Sequence, residues 1–467
     1  MATVAPDGTS RGAGSSRLHV VPLEVFDALA SGGGGERGIR LLAAAQRSKR
    51  ILLLEAIAAR VTAAVAQPGT DPARAFDLLA TTQAASVAGA RAVERVLAYP
   101  SVAGWAHAAT RSLLGGRPVP EPGYLATAAA AAAVRGRVEA DITVPTRGGR
   151  VILPSLGAAV TGPADSDDVA IVRSRPDAAT VETPDARVAV PRDGSDVPGW
   201  VRLPRVHAAA AGLRLRLVLD DVDPFSFPPA AEGVRRITVA DAGPLRHAVV
   251  EGWSLLATRH RGVAAEIGAV LLALVPISAR PGGHASSTSR DAFGSVAMSV
   301  PATGLACAVT LVHEVQHAKL GALLDLVPLT DDPGTARWYA PWRDDPRPLS
   351  GLLQGAYAYL GVTGFWRRQR RREHRPGDAA HAHTEFARWR DGTWTAVETL
   401  LSSGALTPAG RRFVGGMAAT LADWRREHVP DGPTERAHAA AARHRRDWLR
   451  RNSGAAVRLP GLPGQAD

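Results

Sequence analysis

A single cysteine, Cys307, stands in a chain of 467 residues. That scarcity excludes an internal disulfide framework and a thiolate metal cluster within one chain, and it suits a reducing, intracellular compartment. Lysine is nearly absent as well: Lys49 and Lys319 are the only two, so the formal net charge of +11 rests on arginine. The arginines are scattered and accompany no zinc-finger, RRM or helix-turn-helix pattern, so no nucleic-acid partner is expected, whereas an acidic peptide fits the charge. Long apolar runs are missing too. The stretches Leu125 to Val134 and Ile267 to Ile277 are too short or too alanine-rich for a membrane span, which needs ~20 apolar residues. The polar, Gly/Ser-rich start Met1 to Ser16 has no apolar segment of the secretory kind. A soluble, cytoplasmic protein with no membrane partner is the expectation.

With 46% hydrophobic residues the chain has ample material for a large core. Its pattern predicts an α+β protein: mainly helical N-terminal and C-terminal parts around a β-rich middle region. The predicted division is a disordered start over 1–17, a helical region over 18–138, a β-rich region over 139–240, an α+β catalytic region over 241–452 and a flexible tail over 453–467. The alanine-rich segment Ala126 to Ala133 predicts a packed helix, and short β-branched runs such as Val169 to Val172 and Leu213 to Leu219 predict strands between Gly, Pro and Asp turns. Asp220, Asp221 and Asp223 lack the glycine and distal glutamate of an EF-hand and predict a turn. Strands are expected over Ala269 to Ile277 and Ala292 to Val300, joined by a polar, flexible loop from Ser278 to Arg290. The strand leading into the next helix would offer a backbone edge for an extended peptide. Trp338, Tyr339 and Trp342 predict an aromatic loop, and Arg367 to Arg375 a solvated helix end, with an acidic leader peptide as its alternative partner.

The chemistry-bearing motif is His313-Glu314-Val315-Gln316-His317, an HExxH run. Histidines at i and i+4 leave a helix on one face, so both imidazoles can meet one metal ion while Glu314 lies beside it. Pro301 suits the helix entrance, Thr303 its cap, and Leu305, Val309, Val312, Leu320, Leu323 and Leu324 supply apolar surface near helical period.

A zinc metallopeptidase is the default meaning of HExxH, with Glu314 as general base for a metal-bound water. The extended form of that pattern places glycine at position 320 and histidine at position 323, where this chain has Leu320 and Leu323. The other arrangement takes a downstream glutamate, yet none occurs between Glu314 and Glu373. A histidine pair with one further ligand and open positions also suits non-haem Fe(II) oxygenases. Enzymes that use 2-oxoglutarate need a cationic clamp, for which arginine's planar fork is suited.

Here the residues carry a resemblance. The run Ser289 to Ala297, then Leu311 to Glu314, His317 to Leu320, Leu324 to Leu329, Tyr339 to Arg343, Arg347 to Leu349, Gly351 to Ala358 and Glu385 to Arg390, ending near Leu406-Thr407, resembles the HExxH-motif domain of bacterial peptide natural-product gene clusters. More loosely, Leu29-Ala30 and Ser48 to Leu54 are similar to its N-terminal part. That family is similar to 2-oxoglutarate-dependent HExxH-type peptide β-hydroxylases. The resemblance implies Fe(II), 2-oxoglutarate and O2 as reagents, a ribosomally made precursor peptide as substrate, a radical SAM maturase as a further partner, and a fold other than a cupin-like barrel.

His313 and His317 are assigned as the metal ligands, with Glu314 as a catalytic residue that orients a ligand imidazole in a hydroxylase. His383 or Glu385 is expected to supply the third ligand, ahead of Gln354 and Tyr357, which are read as substrate-binding together with Ser289 and Arg290. Arg343, Arg347, Arg388 and Arg390, near the family motifs, are the expected co-substrate clamp. The rival readings are the zinc peptidase, with Zn(II) on the same histidines, and a non-enzymatic peptide-binding scaffold.

Overall fold

The computed structural model describes residues 19–61, 71–227, 243–278, 283–332, 334, 336–453 and 457–458. The predicted disordered start, and the predicted tail apart from residues 453 and 457–458, lie outside them. Six helices come first: α1 (Leu23–Ala30), α2 (Gly35–Arg60), α3 (Pro72–Ala85), α4 (Val87–Ala98), α5 (Pro100–Leu114) and α6 (Tyr124–Gly136). Asp71 caps α3, accepting from the Ala73 amide just where Pro72 sets the first helical φ, and Ser86 caps α4 through the Gly89 amide. Helix α6 is buried over almost its whole length, alanine 128 to 133 included. Side chains that small let α3, α4 and the neighbouring strands approach from several sides.

Nine strands follow: β1 (Ala140–Pro145), β2 (Arg150–Leu153), β3 (Gly157–Val160), β4 (Val169–Ser174), β5 (Ala179–Glu182), β6 (Arg187–Ala189), β7 (Trp200–Arg202), β8 (Arg205–Ala210) and β9 (Leu213–Leu219). Two antiparallel sheets, ordered β1-β4-β5-β6 and β2-β3-β7, share one core with α3 to α6. Alternating burial along β4 and β9 is the period-two pattern of strands with one wet face.

The remaining elements are α7 (Gly243–Arg259), α8 (Arg261–Val270), β10 (Ala273–Pro276), β11 (Ser286–Thr288), β12 (Ser295–Met298), α9 (Gly304–Leu324), β13 (Arg337–Trp338), α10 (Leu349–Gln369), α11 (Pro376–Ser402), α12 (Pro408–Arg425), α13 (Asp431–Arg451) and β14 (Val457–Arg458). The chain is α+β, helical at both ends with sheets between, and among the described residues no sheet closes into a barrel. No helix among the described residues is long and apolar enough to cross a membrane.

The third sheet positions the motif helix. Its order is β11-β12-β10-β9-β8, with β10 parallel to both β9 and β12, and the outer strands β11 and β8 antiparallel to their neighbours. Every residue of β10 and β12 is buried, as befits strands covered on both faces. The expected flexible loop from Ser278 to Arg290 therefore contains a strand, β11, and among the described residues β11 is an edge strand of the sheet, whereas β12, the strand that feeds the helix, is internal. Pairing with β12 fixes this short polar segment, which has no hydrophobic alternation of its own.

Helix α9 lies on this sheet through Cys307, Ala308, Leu311, Val312 and Val315, which share a core with Leu219, Leu274, Val296 and Met298. Thr303 caps it, accepting from the Ala306 amide at 3.1 Å. Against α7 the backbones nearly touch: a Cβ on Gly252 would sit 2.9 Å from the Gly304 carbonyl oxygen. The Asp220 and Asp223 turn is also built into the core. Asp220 accepts from the Tyr99 hydroxyl and Asp223 from the Tyr124 hydroxyl, each at 2.7 Å. Burial, then the neighbouring Asp220 charge, pushes the Asp223 carboxyl up to about 6.

On the back of α9, Lys319 is fully buried and donates to Glu266 Oε2 at 2.8 Å and to the Gly32 carbonyl at 3.1 Å. Glu266 Oε1 accepts from the Gly35 amide at 2.8 Å, so one ion pair ties α9 to α8 and to the glycine turn between α1 and α2. Breaking a buried pair strands its partner in a dry interior. Lys319→Met is expected to destabilise the protein by roughly 3–5 kcal/mol, and the double variant with Glu266→Gln to recover part of that loss, as read by urea unfolding of the two variants.

Candidate metal centre

His313 and His317 point from α9 into a cleft of about 950 Å³. Their Nε2 atoms are 3.1 Å apart, with the rings edge-on at a centroid distance of 4.7 Å. Two nitrogens that each sit ~2.1 Å from one ion, at an angle near a right angle, have about that separation. Gln354 on α10 meets His317 Nδ1 through its side-chain oxygen at 3.1 Å. A carbonyl oxygen can only accept, so Nδ1 carries the proton and the Nε2 lone pair faces its counterpart on His313. Burial first, then the His317 charge, pushes His313 down to about 3, so it stays a neutral donor at physiological pH. The pair therefore suits a divalent transition metal. Among the described residues no group of three or more His, Cys, Asp or Glu side chains is placed to hold a metal ion.

Glu314 lines the same cleft and is engaged by the sheet edge. Its Oε1 accepts from Ser286 Oγ at 2.7 Å and its Oε2 from Thr288 Oγ1 at 2.6 Å. Both donors belong to β11, where residues two apart share a face. The motif carboxylate thus holds the open strand against the motif helix, and β11 itself lines the cleft.

The other expected site residues divide by helix face. Gln354 lines the cleft, and with it Arg343, Arg347 and Arg290. Arg343 Nε and Arg347 share Asp345 at 2.8 and 3.0 Å, which sets their guanidinium groups side by side on the wall. Arg290 Nε donates to Asp325 at 3.0 Å, and Asp325 also takes Gln46 and Lys49 at 2.7 and 2.9 Å, so the loop after β11 is tied to α2 and to the end of α9. Ser289 accepts from the Asp291 amide at 3.2 Å within that loop. Tyr357 points the other way: its hydroxyl donates to the Leu29 carbonyl at 2.8 Å, deep in the core. His383 meets Arg370 at 3.2 Å, and Glu385 accepts from Trp389 Nε1 at 2.7 Å, so the two expected third ligands are placed on α11 outside the residues that line the cleft. Arg388 lies over the Trp389 ring at 4.3 Å and Arg390 pairs with Asp391 at 2.8 Å, also outside that lining.

Among the other cleft residues, His284 and Tyr359 were not anticipated, and Trp342 comes from the expected aromatic loop. His284 bridges Ser299 Oγ and Thr310 Oγ1 at 3.0 and 3.1 Å, and burial, opposed by the Glu314 charge, lowers its pKa. Trp342 and Tyr359 stack at 4.7 Å on the wall next to His313. A sequence signal for them existed in Gly351 and Gly355: the Arg347 and Trp342 side chains lie flat against α10 because those positions carry no Cβ.

No protein-family model matches the chain, and no curated protein does.

The engagement of Glu314 by β11 yields a direct test. Glu314→Ala removes both acceptors, and amide hydrogen exchange at residues 286–288 is expected to rise roughly tenfold or more. Glu314→Gln keeps an acceptor oxygen and is expected to stay close to the wild type.

Proposed function

We propose that the chain is an Fe(II)- and 2-oxoglutarate-dependent peptide β-hydroxylase, similar to the HExxH-type family its sequence resembles, acting on a ribosomally made precursor peptide in the cytoplasm. The observation that carries this reading is the division of labour within the motif. His313 and His317 bring their Nε2 atoms within 3.1 Å of each other in the cleft, while both oxygens of Glu314 are occupied by Ser286 and Thr288. A peptidase would need that carboxylate free as a base beside the metal; a hydroxylase needs only the two imidazoles and room for a chelating co-substrate.

When bound, iron with 2-oxoglutarate and O2 supplies the oxidising power for hydroxylation, with succinate and CO2 as co-products. The protein's own residues do the rest. Gln354 holds the His317 tautomer. Trp342, Tyr359 and Trp389 form an aromatic wall beside His313 that keeps water off that flank, with ring centroids 4.7 and 4.3 Å from Tyr359. Arg343 and Arg347 give the cleft a pair of forked donors suited to a carboxylate. The free edge of β11 offers backbone groups to an extended peptide along the cleft, a mode in which the main chain supplies affinity and flanking pockets supply selectivity. No residue of this set is asked to act as the base, which accords with the engaged state of Glu314.

The decisive assay loads the full chain with Fe(II) anaerobically and starts the reaction with O2, with and without candidate precursor peptides and with His313→Ala as control. Peptide-stimulated succinate and a product heavier by one oxygen atom, both lost in the variant, are expected. Zn(II)-dependent cleavage of the peptide, indifferent to 2-oxoglutarate and abolished by Glu314→Gln, would replace this reading with the peptidase. Stoichiometric peptide binding by a chain that retains no metal would favour the scaffold.

A further inference from the structure

The chain has five tyrosines. Four spend their hydroxyls inside the fold: Tyr99 on Asp220, Tyr124 on Asp223 and Ser101, Tyr339 on His444, and Tyr357 on the Leu29 carbonyl. Tyr359 is the exception, since among the described residues its hydroxyl has no hydrogen-bond partner. It is also the one tyrosine that lines the metal cleft.

Its placement is built rather than incidental. The ring is sandwiched between Trp342 at 4.7 Å and Trp389 at 4.3 Å, and its edge meets His313 at 5.1 Å. Trp342 can take that position only because Gly355 is bare: a Cβ there would fall 2.5 Å from the indole. With both faces covered, the phenol has little freedom to turn its oxygen elsewhere. A phenol carries its O–H at neutral pH, so this hydroxyl is available to donate. Arg343 lines the same cleft and holds Asp345 through Nε, so its terminal nitrogens remain to donate. A hydroxyl without a partner among the described residues and a guanidinium with nitrogens to spare beside its Asp345 contact line one cleft, a pairing that suits an anionic oxygen ligand.

Resting on the hydroxylase reading, we propose that Tyr359 and Arg343 together bind the carboxylate of 2-oxoglutarate remote from the metal. The 2-oxo acid end of that molecule is the chelating end, so its far carboxylate is the one that must find protein donors. In this assignment Tyr359 is a specificity residue: it separates a co-substrate with a second carboxylate from an otherwise equal 2-oxo acid that lacks one.

The test is anaerobic titration calorimetry on the full-length, Fe(II)-loaded protein with two ligands of equal chain length, 2-oxoglutarate and 2-oxovalerate. Tyr359→Phe keeps the stacked ring and removes only the donor. It is expected to weaken 2-oxoglutarate roughly tenfold or more, the scale of a hydrogen bond to a charged group. It should leave 2-oxovalerate and Fe(II) affinity unchanged. Arg343→Met provides a second variant, expected to weaken 2-oxoglutarate selectively in the same way. Equal 2-oxoglutarate affinity in wild type and Tyr359→Phe, or an equal loss for both oxo acids, overturns the assignment and leaves the hydroxylase reading standing. A wild type that holds Fe(II) but binds neither oxo acid overturns both.

Discussion

Everything at the candidate centre depends on one helix being held still from three sides. Two imidazole nitrogens 3.1 Å apart define a metal position only if the helix that carries them cannot roll or slide. Helix α9 rests its apolar face on the β10 and β12 strands, closes on α7 where Gly252 and Gly304 meet, and is pinned behind by the buried Lys319 and Glu266 pair. Its C-terminal end is fixed by Asp325, a carboxylate at the end of a helix whose dipole disfavours it. Lys49 and Arg290 offset that penalty and in doing so attach α2 and the loop after β11. The two lysines of this arginine-rich chain are both spent on holding the motif helix.

Polar chemistry on the open side follows from the same arrangement. Once the sheet has buried one face of α9, Glu314 reaches the edge strand and His313 and His317 face the cleft between β11 and α10. The motif glutamate then acts as a link between helix and strand, and the strand it secures is an edge strand of the sheet among the described residues. A single five-residue motif thereby organises the candidate metal position, the strand that borders it and the direction from which a chain could approach. The aromatic sandwich of Trp342, Tyr359 and Trp389 closes the opposite flank.

How much of this the sequence disclosed can be traced residue by residue. The motif helix was legible from its cap, Thr303, and from the i, i+4 spacing, because both are local properties. So were the α+β division and the buried alanine helix, which composition and periodicity carry. Strand β11 was not legible: Ser286, Ser287 and Thr288 have neither apolar alternation nor length, and their strand exists through partners supplied by β12 and Glu314. The face of α10 was read one step off. Gln354 faces the cleft, yet Tyr357 turns into the core and Tyr359 takes the wall, a distinction of two residues that depends on how the helix is rotated against its neighbours. His383 and Glu385 were favoured for their donor chemistry, but only tertiary placement shows these α11 residues engaged by Arg370, at the end of α10, and by Trp389.

The central claim is that His313 and His317 jointly hold a metal ion in a site with open positions. X-ray absorption at the iron edge, on protein loaded anaerobically and freed of excess metal, tests it most directly. Equimolar iron whose first shell contains two imidazoles, with iron retention lost in both His313→Ala and His317→Ala, is the predicted result. Iron held without imidazole scattering, or retained undiminished by the two variants, would contradict the account.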